Sequence, residues 1–242
     1  MFGIEGFPEV RPGDELAALV CAAVEDDLRS GDVLVVTHKI ISKAEGRLVD
    51  LRTVEPSPLA KDYATRYGKD PRQIEVVFRE SRRIVRMDRG IVISETRHGF
   101  VCANAGVDAS NVPGDDTVCL LPVDPDASAS KLRAALAGRL DVEVAVVVSD
   151  SFGRAWRHGI TDVAVGVAGM DPIADYRGQR DPHGYPMEAS VLAVADELAA
   201  AAELVMGKTA GIPLAVVRGY PYAPTLGTGK DLLMPPERDM FR

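Results

Sequence analysis

From Arg83 to Asn104 the chain runs through short apolar stretches broken by tight turns, and this feature constrains its fold the most. Ile84-Val85-Arg86-Met87 and Ile91-Val92-Ile93-Ser94 are separated only by Asp88-Arg89-Gly90, and His98-Gly99 leads into a further run. Connections this short join antiparallel neighbours, because a parallel pair needs a long crossover. A β-meander in mid-chain therefore makes the sheet partly antiparallel.

Around the meander the pattern alternates between helix and strand. Asp14 to Leu28 predicts a helix capped by Asp14, with Leu16, Leu19, Val20, Ala23, Val24 and Leu28 at spacings of three and four. Val33–Val36 predicts a buried strand ending at Thr37-His38-Lys39. Leu59–Tyr67 and Arg72–Phe78 predict short helices, the second opening through Asp70-Pro71. Asp126–Leu140 predicts a capped helix, Val142–Val148 the strongest strand, Ser190–Met206 a long alanine-rich helix, and Ile212–Val217 another strand. This order defines an α+β fold with a mixed, partly antiparallel sheet and flanking helices. No linker or repeat divides the chain, so residues 1–242 are expected to form one domain, or two interwoven subdomains.

Charge and cysteine usage narrow the functions. A net charge of −8 leaves no overall basic field to follow phosphates, so nucleic acid is not an expected partner. No apolar run is long enough to span a membrane. Met1 to Arg11 carries Glu5 and Glu9 and does not read as a signal peptide. Cys21, Cys102 and Cys119 are odd in number and widely spaced, matching neither a zinc site nor a disulfide framework. They read as buried thiols of a protein in a reducing, cytoplasmic compartment.

Four segments carry chemistry. Val146 to Val148 delivers Ser149-Asp150-Ser151 at the end of a strand, offering a carboxylate and a hydroxyl of the kind hard divalent cations take. Alternatively, Asp150 caps the next element. Ala105 to Gly114 is a loop in which Asp108 offers a second metal carboxylate and Asn111 a contact to a base, sugar or phosphate; the plainer reading is an Asx turn. Lys39 and Lys43 would share one face if Thr37 to Arg47 is helical, and could meet a polyphosphate there. Arg154, Trp156 and Arg157 form a basic, aromatic tract suited to an anionic, planar ligand or to an interface. The glycine signatures of the common nucleotide folds are absent, and so is a glycine-flanked serine elbow.

The chain resembles the coenzyme F420-0:L-glutamate ligases. The resemblance is carried by Gly6-Phe7-Pro8-Glu9-Val10-Arg11-Pro12-Gly13-Asp14, Ser42-Lys43-Ala44-Glu45-Gly46-Arg47, Ala105-Gly106-Val107-Asp108-Ala109-Ser110-Asn111 and Leu120 to Asp126. Ser149-Asp150-Ser151-Phe152-Gly153-Arg154-Ala155-Trp156-Arg157 and Ala193 to Glu197 continue it, and it runs from about residue 4 to the C-terminus. It implies a GTP-dependent ligase, built as an intertwined homodimer, that adds L-glutamate to coenzyme F420-0. The resemblance also implies Mg2+ or Mn2+, with K+ as an optional further cation. It places GTP at Phe7, Pro8, Glu9, Val10, His38, Lys43 and Asn111, and metal at Asp108, Asp150 and Ser151, with Lys43 and Asp150 central to catalysis. The family pattern has a small hydroxyl residue where this chain has His38. With its last residue at Arg242, the chain is expected to lack the reductase-like domain fused in some relatives. Two other readings use the same residue types: a metal-dependent phosphohydrolase or nucleotidyltransferase, and a non-catalytic deazaflavin-binding protein.

Overall fold

The structure, a computed structural model, describes residues 1–240. The chain opens with strand β1 (Phe2–Gly3), helix α1 (Leu16–Val24), strand β2 (Val33–Thr37) and, with no connecting loop, helix α2 (His38–Ala44). After β3 (Leu48–Asp50), helices α3 (Pro58–Tyr67) and α4 (Pro71–Glu80) lead into the meander of β4 (Ser81–Asp88), β5 (Ile91–Thr96) and β6 (Val101–Ala103). Next come β7 (Thr117–Cys119), α5 (Pro125–Leu140) and a long hairpin of β8 (Ala145–Arg154) and β9 (Arg157–Ala168). The short pair β10 (Ala174–Asp175) and β11 (Val191–Leu192) precedes α6 (Val194–Met206) and β12 (Leu214–Val217).

The main sheet has five strands in the order β1-β12-β2-β8-β9. Only β2 and β8 run parallel in it, from Val33 opposite Ala145 to Thr37 opposite Ser149. The other three pairings are antiparallel, so this sheet is mixed, but the meander is not the cause: β4, β5 and β6 form a separate three-stranded antiparallel sheet. Alternate residues of its strands face opposite ways. Leu34, Val36, Val146, Val148, Leu214 and Val216 pack with α1 and with Leu132 and Leu136 of α5. Val33, Val35, Ala145, Val147 and Ala215 pack beneath Val194, Leu198, Ala202 and Met206 of α6. A one-residue slip would exchange the two faces, so burial on both sides fixes the register. A third cluster gathers Tyr63, Ile74, Val77, Val92 and Val118 where α3 and α4 meet the meander.

Helix starts follow their caps. Ser57 accepts from Ala60 N at 3.3 Å ahead of Pro58, Asp70 from Arg72 N at 2.8 Å ahead of Pro71, and Asp124 from Ala127 N at 3.0 Å ahead of Pro125. In each case a side-chain oxygen takes one of the unpaired N–H groups of the first turn, and proline supplies a φ already suited to it.

Four elements differ from expectation. Asp14 does not cap α1: its carboxylate accepts from Arg11 N at 2.8 Å, and the helix begins at Leu16 without a side-chain cap and ends at Val24. The helix expected from Ser190 begins only at Val194, because Val191 and Leu192 pair with Asp175 and Ala174. Its apolar side is covered by this chain's own sheet, leaving Leu204 82% exposed. The strongest strand starts at Ala145 and runs past Val148 to Arg154, so Asp150 lies within a strand and caps nothing. The basic tract is the turn of the hairpin, and the twelve-residue strand that follows it was not anticipated.

The three cysteines are free and buried. No helix among the described residues is long and apolar enough to cross a membrane.

Candidate active site

β2 gives way to α2 at Thr37, while its parallel neighbour β8 continues against β9. The carboxyl end of such a parallel pair is where α/β sheets commonly hold ligands. A cleft of about 860 Å³ opens there. Phe7, Pro8, Glu9, Val10, His38, Lys43, Asp108, Asn111, Asp150 and Ser151 all line it, so four segments distant in sequence meet at one place.

α2 supplies the cations. Thr37 caps it, accepting from Lys39 N at 3.1 Å. Because the segment is helical, Lys39 and Lys43 lie one turn apart and both reach the cleft. Lys39 Nζ donates to Asp108 Oδ2 at 2.5 Å and to Ser110 Oγ at 2.8 Å. Lys43, only 6% exposed, donates to Glu9 at 2.5 Å. His38, on the same turn, sits in the wall.

Asp108 does make the Asx turn: its Oδ1 accepts from Ser110 N at 2.8 Å. The turn and a place in the cleft coexist, since the second oxygen faces Lys39. Burial pushes the Asp108 carboxyl up, but the Lys39 ammonium and the Ser110 donors outweigh it and hold the group below the ordinary carboxylate range. Asn111 adopts the left-handed conformation at φ 55°, one that asparagine tolerates better than most residues.

The hairpin supplies the opposite wall. Its register sets Ser151 against Asp162, and Asp162 accepts from Ser151 Oγ at 2.6 Å and from Ser149 Oγ at 2.9 Å. Lys208, on the loop after α6, contacts Ser151 Oγ and lies 3.4 Å from both Asp162 and Glu203. Asp162, Glu203 and Lys208 thus join the cleft without having been singled out in the sequence. For Asp162 there was a signal, an acid directly before the alternating run Val163, Val165, Val167. Lys208 had none, because its place depends on where α6 ends.

Arg154, Trp156 and Arg157 are not brought into the cleft. They lie at the hairpin tip, where Trp156 takes φ 57° at the turn and is 83% exposed. The cleft instead receives Ile160 and Asp162 from farther down β9. The thiols also stay out of the chemistry. Burial, then the nearby Asp150 carboxylate, pushes Cys102 up to about 12, and burial takes Cys119 up to about 11. Both remain protonated near neutral pH and are poor nucleophiles.

A cleft of carboxylates, lysines and hydroxyls, with no reactive thiolate, has the make-up of a site for phosphoryl and acyl transfer. The chain belongs to the F420-0:gamma-glutamyl ligase family, whose model matches residues 5–219. It is 48% identical to the coenzyme F420:L-glutamate ligase of Methanothermobacter thermautotrophicus, an alignment covering 100% of this chain and 98% of the relative. The proteins of the same name from Methanopyrus kandleri (45% identical over 97% of this chain and 94% of the relative) and Archaeoglobus fulgidus (39% over 100% and 96%) align similarly.

Proposed function

We propose that the chain joins L-glutamate to coenzyme F420-0 through an amide bond, using GTP and a divalent cation, in the cleft at the end of β2 and β8. The observation that carries this reading is the meeting of residues 7–10, 38–43, 108–111 and 149–151 in one cleft of a chain of this family.

The donors fit a cation. Asp108, Asp150 and Ser151 present hard oxygen ligands to one cleft. No three carboxylate, imidazole or thiol groups cluster closely enough among the described residues to hold an ion by themselves. Such a set suits Mg2+ or Mn2+ that takes the rest of its shell from phosphates and water, as magnesium usually does. When bound, the ion would offset the negative charge that builds on the transferring phosphoryl group.

An amine does not displace hydroxide from a carboxylate near neutral pH, so the acceptor oxygen must first become a leaving group. In the proposed sequence the γ-phosphoryl of GTP passes to the acceptor carboxylate and GDP leaves. The glutamate amine then attacks the acyl carbon, phosphate departs, and the amine gives up a proton. Lys43 and Lys39 would orient the phosphates from α2, with Lys208 facing them across the cleft. Phe7 to Val10 and Asn111 would bound the nucleotide, and His38 belongs to the same wall. Arg154, Trp156 and Arg157 would meet the phosphodiester and flat ring of the acceptor where it extends beyond the cleft.

Purified protein incubated with F420-0, GTP, Mn2+, K+ and L-glutamate should give a product heavier by one glutamate residue, together with GDP, read by mass spectrometry. Nucleotide hydrolysis with no amide product would instead establish a phosphohydrolase. Acceptor binding without nucleotide turnover would leave a deazaflavin-binding protein.

A further inference from the structure

The buried imidazole of His38 faces the carboxylate of Asp150 from behind. His38 is 1% exposed, Ser42 is fully buried, and His38 Nδ1 lies 3.2 Å from Ser42 Oγ. Its Nε2 makes no aligned hydrogen bond and is turned toward Asp150 Oδ1, 3.3 Å away. The same Oδ1 accepts from Ser151 N at 2.8 Å, while Oδ2 has no such partner among the described residues.

We propose that His38 is a positioning residue for Asp150. It backs Oδ1 so that Oδ2 is the oxygen offered to a divalent cation in the cleft. A carboxylate beside Nε2 calls for a proton on that nitrogen, and the Ser42 hydroxyl then donates to Nδ1, which fixes both the tautomer and the ring plane. Oδ1 thus accepts from a main-chain N–H and has the imidazole Nε2 beside it at 3.3 Å. A carboxylate whose other oxygen is held in this way loses less freedom when the ion arrives. Partners one shell removed from a metal typically change its affinity by about 10- to 100-fold. The proposal rests on Asp150 being a cation ligand, which is part of the function proposed above.

Mn2+ binding to the full-length protein, with saturating GDP present to supply the phosphate oxygens, would be followed by electron paramagnetic resonance, and Tm would be read separately in EDTA. His38→Leu fills the same space without either nitrogen. It is expected to weaken Mn2+ binding by about 10-fold or more while Tm in EDTA moves little. His38→Gln can place an amide N–H near the position of Nε2 and should restore affinity to within about threefold of the native protein, whereas the shorter His38→Asn should not. If His38→Leu does not fold, the comparison of Gln with Asn decides by itself. Native affinity in His38→Leu, or equal affinities in the Gln and Asn variants, would overturn the positioning role. Asp150→Asn, measured alongside, separates the two readings. If Asp150→Asn binds as tightly as the native protein, or the native protein does not bind, the cation assignment of Asp150 fails as well. Weak binding by Asp150→Asn with native binding by His38→Leu removes only the role of His38.

Discussion

Asp108 and Asp150 stand in different relations to the charges around them. Asp108 is paired with Lys39 at 2.5 Å, whereas Asp150 has a main-chain N–H and a buried imidazole for neighbours. Either Asp→Asn change keeps the volume and removes one negative charge, and both side chains border an open cleft, so the packing cost is small. Each variant is expected to fold and to lose about 100-fold or more in kcat/KM for ligation, the scale seen when one strong electrostatic contact to a transition state is removed. Steady-state kinetics beside a thermal melt would check this, and near-native turnover in both variants would contradict the two-carboxylate site. Asp108→Asn has a second signature. The folded Asp108 carboxyl titrates below its ordinary value. Its pairing therefore stabilises the fold at pH above that ordinary value, and the contribution is lost as pH falls through the lower, folded one. The variant should show a shallower loss of stability in acid, read as Tm against pH.

At the scale of elements, what could be read in the sequence was what local chemistry decides. Asp70-Pro71 announces its helix because the cap and the proline act within one turn, and the structure shows the same local device at Ser57-Pro58 and Asp124-Pro125. The meander was legible for the same reason, its turns being short. The Lys39 and Lys43 pair was legible once α2 was taken as a helix. The run of β8 beyond Val148 was not, because Ser149 to Arg154 is a polar strand held by its partner β9, and pairing is a long-range fact. Asp162 reaches Ser151 through that same register. One close approach also had no local signal. Gly166 of β9 passes the start of α5, where an added Cβ would stand 2.5 Å from the carbonyl carbon and oxygen of Pro125. Gly166→Ala should therefore force backbone to move, costing about 1–3 kcal/mol, seen as a lower denaturant midpoint with an unchanged m-value. The hairpin tip gives a different kind of prediction. Arg157→Lys keeps the charge and loses the planar fork. If the tip meets the acceptor, KM for F420-0 should rise several-fold while KM for GTP stays near native. An equal rise in both would place Arg157 in the nucleotide site or the scaffold.

For the whole molecule, the resemblance calls for a homodimer. The sheet-facing side of α6 is spent within the same chain, through Val194, Leu198, Ala202 and Met206, while Leu204 stands 82% exposed. Further exposed apolar side chains lie on outlying segments: Tyr185 at 67%, Val191 and Leu192 at 40% and 41%, and Leu226 at 96%. Single exposed apolar residues are ordinary on a surface. Val191 and Leu192, however, are adjacent and belong to a short two-stranded pair that joins no larger sheet among the described residues, and an isolated pair of strands is marginal in water. A second copy covering β10 and β11 would stabilise them, and a stable interface needs about 800 Å² from each subunit. Light scattering at micromolar concentration should therefore give twice the chain mass. The double change Val191→Glu and Leu192→Glu should shift the protein toward monomer while far-ultraviolet circular dichroism stays native, because neither side chain belongs to a buried cluster. A native chain that scatters as a monomer would refute the dimer outright. A variant that remains dimeric would place the interface elsewhere on the surface and leave β10 and β11 to be held by their own chain.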